Sequence, residues 1–159
     1  MKTKDYQSIK TFENALIKLG EQHPFVRSYF GYMDYVHKDG MDDVDVLAYL
    51  KLRIVCEALN DGWKPKFTKN EVRYYPLLWL CNGDEIKEMD EDGRNRLVLF
   101  GGAANIGSKA GFAYASSGSV PSDTYARIGS RLCLKNRDLA NYCGKQFIEL
   151  WKDLCIGMK

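Results

Sequence analysis

Gly102 to Lys109 reads G-x-x-x-x-G-S-K, the spacing of a phosphate-binding loop with its last two residues exchanged. The order is chemical. A P-loop needs lysine directly after the second glycine, then Ser or Thr as a metal ligand, and then a helix whose N-terminus faces the phosphates. Here Ser108 precedes Lys109, and the following "AGFAYASSG" alternates like a strand, so the pattern favours a hairpin loop over a nucleotide site. Histidine chemistry is limited by supply, because His23 and His37 are the only two. Cys56, Cys81, Cys133, Cys143 and Cys155 are scattered with no C-x-x-C, unlike the paired spacings of zinc ligands. Cys143 and Cys155 fit apolar helix positions and Cys133 a strand, which reads as small core residues rather than nucleophiles. The expectation is a non-enzyme with no cofactor and no metal.

Carboxylates concentrate in "DEIKEMDED", where Asp84, Glu85, Glu88, Asp90, Glu91 and Asp92 stand against Lys87 alone. An EF-hand-type loop wants alternating oxygen ligands around a central glycine and a distal glutamate; Ile86 and Met89 instead suggest an amphipathic turn. A solvated acidic face, able to imitate a polyanion, is the reading. The opposite charge gathers in two other segments. Residues 63–73 hold Lys64, Lys66, Lys69 and Arg73 against Glu71, and residues 127–159 carry Arg127, Arg131, Lys135, Arg137, Lys145, Lys152 and Lys159 against Asp138, Glu149 and Asp153. With a net charge of only +2, any polyanion partner must be met by a local patch.

The sharpest candidate patch lies in "YARIGSRLCLKNRDLANYCGKQFIELW", residues 125–151. As a regular strand, 124–135 sends Ala126, Ile128, Leu132 and Leu134 to one face, and Tyr125, Arg127, Arg131, Cys133 and Lys135 to the other. Arg73, Tyr75 and Trp79 share a face of the preceding strand in the same way. Arginine and tyrosine mixed on a sheet surface suit stacking of bases and neutralisation of phosphates in single-stranded nucleic acid. The competing reading is cross-strand packing and internal ion pairs.

The elements that would hold these residues run helices first, then sheet, then helix. Ile9, Phe12, Leu16 and Leu19 recur at helical spacing and stop at Gly20. "HPFVRSYFGYMDYVH" opens with Pro24, suited to a helix's first turn, and Asp43 is placed to cap a run whose Leu47, Leu50, Ile54 and Ala58 share one stripe until Asn60-Asp61-Gly62. Beyond Gly62 the chain turns aromatic and branched. Val72–Leu80 reads as a strand that Pro76 confines to an edge or bulge, Asn82-Gly83 as a turn, Arg96–Phe100, Phe112–Ala115 and Thr124–Leu134 as further strands. A final helix begins at Asn136, with Leu139, Cys143, Phe147, Leu150 and Leu154 on its apolar face. The sum is an α+β domain: N-terminal helices, a mostly antiparallel sheet of about four strands, and a C-terminal helix packed on it.

One domain over residues 1–159 is expected, with 1–42 as a variable helical extension, and 13% aromatic residues argue against disorder. "MKTKDYQSIK" lacks the apolar stretch of a signal peptide, and no apolar run reaches the ~20 residues of a membrane helix. A cytoplasmic chain with reduced thiols, and no membrane partner, follows as the expectation.

At "ALNDGWKPKF", "VRYYPLL" and "GSRLCLKNRDLANYCGKQFIELW" the chain resembles a group of small proteins of phages and mobile elements of Bacteroidetes, with the pattern A-L-N-x-G-W-x-P, Y-Y-P, then S-R-L-x-[FL]-K-x-x-x-L-A-x-Y-x-G-K-x-F. The matching residues run from Ala58 to Phe147. The resemblance implies a shared fold and a phage setting, and carries no activity. Together with the patterning it points to a non-enzymatic binding module that engages nucleic acid or a host nucleoprotein, such as a defence complex, through Arg127, Arg131, Lys135, Tyr125, Arg73 and Tyr75. A structural or protein-inhibitor role through the acidic 84–92 segment and the aromatic helices is the alternative, and an enzyme using Gly102–Lys109 the remote one.

Overall fold

The computed structural model describes residues 5–39, 43–66, 68, 70–95, 97–100, 110–121 and 132–157. A 3-10 turn over Asp5–Ser8 leads into α1 (Phe12–Leu19), where Thr11 and Asn14 form a reciprocal capping box and Gly20 ends the helix at φ +80°. α2 (Pro24–Asp39) starts at its proline as expected. α3 (Val44–Asn60) is buried on several sides, through Ala48, Leu52, Ile54, Val55, Cys56, Ala58, Leu59 and Asn60. Asp43 stands at its N-cap position without a side-chain hydrogen bond, and Asp61 closes the helix in the left-handed region at φ 49°.

The sheet is antiparallel and has three strands in the order β1 (Val72–Cys81), β3 (Ala110–Pro121), β2 (Leu97–Phe100). Pairing runs Val72 to Pro121 through Cys81 to Gly111, and slips once where Leu77 faces Ser116 and Leu78 faces Tyr114. The extra residue, Ala115, lies on β3, so β1 keeps its alternation from end to end. Even-numbered Tyr74, Pro76 and Leu78 face the core, and odd-numbered residues face the other way.

The expected fourth strand reduces, among the described residues, to a single bridge. Tyr74 N–H donates to Leu134 O at 3.0 Å, and Leu134 N–H returns a bond to Tyr74 O at 2.8 Å. The next antiparallel pair outward is Pro76 with Leu132, and proline has no N–H to give. Leu132 O takes the Cys56 thiol instead, at 3.7 Å. Proline therefore suits the edge position of β1, as expected, and residues 124–131 of the expected fourth strand lie outside the described residues.

Between the strands, Asn82 does not make a plain turn. Its Oδ1 accepts from the Asp84 and Glu85 amides at 3.0 Å and so caps α4 (Gly83–Glu88), while Asp90 caps α5 (Glu91–Arg94). The expected single C-terminal helix is two, α6 (Arg137–Gln146) and α7 (Ile148–Ile156), parted at Phe147 with φ −115°. α6 lies against β1 and β3, and α7 against α3. One apolar cluster joins Ile9, Ala15 and Val26 to Leu52, Phe112, Leu134, Leu139 and Trp151. The N-terminal segment is thus part of this core, and two bonds pin it to α6: Tyr142 OH to Ile9 O at 3.0 Å and Gln146 Nε2 to Lys10 O at 2.8 Å. Among the described residues no helix is long and apolar enough to cross a membrane.

Candidate functional site

Two stretches that are basic in the sequence meet at the start of β1, and a buried amide joins them. Leu134 gives both of its backbone groups to Tyr74, so the Cys133 carbonyl and the Lys135 N–H point the opposite way. Asn60, only 6% exposed at the end of α3, takes both: its Nδ2 donates to Cys133 O at 2.9 Å, and its Oδ1 accepts from Lys135 N–H at 3.0 Å. One side-chain amide thus replaces the peptide of a missing strand. From the same residue the chain turns outward, Trp63 N–H bonding Asn60 O at 3.0 Å, and Lys66 N–H reaching both Glu71 oxygens at 3.0 and 2.8 Å. Lys64, Lys66, Lys135 and Arg137, which lie in the two segments that this amide joins, are exposed, and Trp63 is half-buried.

Arg73 does not belong to that surface. The expectation placed it on a solvent-facing basic sheet face; it is 6% exposed. Its parity is as predicted, opposite the core face, but the 132–135 segment lies beside that end of β1. Burial pushes the Cys133 thiol up, while the Arg73 guanidinium beside it and a hydrogen bond from Arg73 pull it part of the way back; Glu71 acts on the same thiol. Arg73 is therefore engaged inside the fold and is not presented to a ligand. Tyr75 is half-buried on the same face, and Lys135 is exposed as expected. Tyr125, Arg127 and Arg131, with the Gly102–Lys109 loop, lie outside the described residues. Sequence reasoning left Lys64, Lys66 and Arg137 out of the site although the charge count of their segments was the signal.

The cysteines bear on the remote enzyme reading. A hydrogen bond with Cys143, then burial, pushes the Cys56 thiol well up, and burial raises Cys81 and Cys155 as well. Activation of a nucleophilic thiol requires the opposite shift. His23 Nδ1 accepts from Phe25 N–H at 3.2 Å, and its Nε2 lies 3.8 Å from Glu57, a carboxylate and not a thiol. Among the described residues no group of three or more His, Cys, Asp or Glu side chains is arranged to hold a metal ion.

At the far end of β1 the charge is reversed. Asp84, Glu88, Asp90, Glu91 and Asp92 are exposed on α4 and α5 and their flanks, and Lys87 is paired with Asp84 at 2.9 Å. No protein-family model, curated protein or solved structure matches the chain.

Proposed function

We propose that this protein is a non-catalytic binding module that takes a polyanion, nucleic acid or a nucleoprotein, at the basic corner formed by Lys64, Lys66, Lys135 and Arg137. The observation that supports this is the Asn60 junction, which brings two separately basic segments together at one exposed place. Arg127 and Arg131 precede that corner in sequence and extend the same proposal. The resemblance to proteins of phages and mobile elements favours a host nucleic acid or nucleoprotein as the partner. Half-buried Trp63 and Tyr75 supply aromatic surface for unpaired bases.

Fluorescence anisotropy with a labelled single-stranded oligonucleotide tests the reading. Four neutralised phosphates give a slope of about −3 in log affinity against log salt. Replacing Lys64, Lys66, Lys135 and Arg137 by alanine should flatten that slope and weaken binding at low salt. Absence of binding by the unaltered protein at about 20 mM salt, for single-stranded and duplex DNA and RNA alike, refutes the proposal.

A further inference from the structure

We infer that the outer face of β1 is the interface of a two-fold homodimer, in which the acidic corner of each copy meets the basic corner of the other. Because the bulge belongs to β3, Leu77 and Trp79 share one face of β1, directed away from α6. They are 41% and 45% exposed. Leu77 and Trp79, with half-buried Tyr75 before them, follow one another along a single face of the strand and form a contiguous apolar strip, which isolated surface hydrophobics do not.

The ends of that strip are oppositely charged. Lys66 and Lys135 stand where β1 begins, and α4 with α5 follows directly after Cys81, where Ile86 Cδ1 comes within 3.1 Å of the position a Cβ on Gly111 would occupy. Gly111 pairs with Cys81, so α4 caps the same outer face. Ten strand residues span about 33 Å, several times the ~8 Å Debye length at physiological salt. Within one chain the two corners therefore do not neutralise each other.

This charge layout selects the occupant. A polyanion laid along Leu77 and Trp79 would run into the carboxylates of α4 and α5. A second copy turned about a two-fold axis near Trp79 exchanges the ends, setting acid against base twice while burying both apolar strips. The net charge of +2 per chain opposes such approach only weakly.

The experiment is sedimentation velocity on the full chain from about 1 µM to about 500 µM, at about 20 mM and about 500 mM salt. A concentration-dependent dimer that weakens with salt is expected. Trp79→Asp should raise its dissociation constant at least ~10-fold. Glu88→Lys with Glu91→Lys, and separately Lys66→Glu with Lys135→Glu, should each weaken self-association similarly; mixing the two reversed proteins should restore a dimer, since both contacts then pair opposite charges. Far-UV circular dichroism checks that these surface variants fold. A monomer throughout, a dimer indifferent to Trp79→Asp, or a mixture no tighter than its components overturns the inference. The Glu88/Glu91 variant leaves the basic corner intact, so loss of its dimer with retained oligonucleotide binding separates this interface from the proposed function.

Discussion

Replacing Asn60 by alanine removes both bonds of the junction at once and leaves two backbone groups behind. Each hydrogen bond contributes about 1 kcal/mol net, and a buried group left without a partner costs about 1–3 kcal/mol. Asn60 is 6% exposed and its bonds are 2.9 and 3.0 Å long, so neither Cys133 O nor Lys135 N–H is readily rescued by water. Alanine's better helix propensity at the last residue of α3 returns about 0.5 kcal/mol. The expected loss is about 3 kcal/mol, a shift in Tm of about 6–12 °C for a chain of this size. Asn60→Asp is the sharper probe. It keeps an acceptor for Lys135 N–H but turns a carboxylate oxygen towards the Cys133 carbonyl, and should cost at least as much as alanine despite its matching shape.

Urea denaturation gives the free energies, and amide exchange locates them. Lys135 N–H should lose protection in both variants, ahead of the amides of α6. Because the same junction joins the basic segments, oligonucleotide affinity should fall although Asn60 is 6% exposed and bonded inward. An Asn60→Ala protein within about 0.5 kcal/mol of the parent, where surface substitutions fall, with Lys135 N–H still protected, refutes the reasoning.

The buried thiols make stability fall in alkali. A hydrogen bond with Cys143, then burial, holds the folded Cys56 thiol well above the ordinary thiol value of 9.0, so above about pH 9 the unfolded chain releases a proton that the native state retains. Stability from this group is complete below that pH and declines above it by about 1.4 kcal/mol per pH unit; Cys56→Ala should flatten the alkaline limb of the urea midpoint by that slope. Glu13 is shifted down by its own backbone hydrogen bond and by Thr11, and contributes on the other side: its share is present above its unfolded pKa and fades as acid protonates it. Gly111→Ala should cost about 1–3 kcal/mol, measured by thermal unfolding, because the new methyl meets Leu97 Cδ1 and Ile86 Cδ1. Tyr142→Phe removes the bond to Ile9 O and should cost about 1 kcal/mol, with faster proteolysis at the N-terminus as the readout.

What was legible in the sequence was local. Pro24 opening α2, Asn136 capping α6 through the Leu139 amide at 3.0 Å, and the edge position of Pro76 each follow from one residue's own backbone chemistry. Parity on β1 was legible too, since a period of two needs only the strand. Burial was not. Arg73 has the parity predicted, yet exposure depends on what covers a face, and the residue beside it is Cys133. Asn60 read only as the end of a helix, because its partners lie 73 and 75 residues away. The described sheet has three strands and not four: of the strand expected over 124–134 only 132–134 is described, and there pairing stops at the Leu134 bridge because the next hydrogen-bonded partner on β1 is Pro76, which has no N–H to give.

The two proposed uses of the basic corner exclude each other. Lys66 and Lys135 cannot face a phosphate backbone and the partner copy's α4 and α5 together, so a ligand that binds one form draws the equilibrium away from the other. In the proposed dimer the acidic corner would stand in for the polyanion, covering the basic corner until a more highly charged competitor displaces it. The coupling is set by ionic contacts at both steps, so salt weakens them in parallel. The apolar contribution of Leu77 and Trp79 has no counterpart in polyanion binding. On these two proposals specificity would rest on the apolar strip: charge alone would let any polyanion displace the partner copy, whereas burial of Trp79 in the dimer would set how much charge density a competitor must bring.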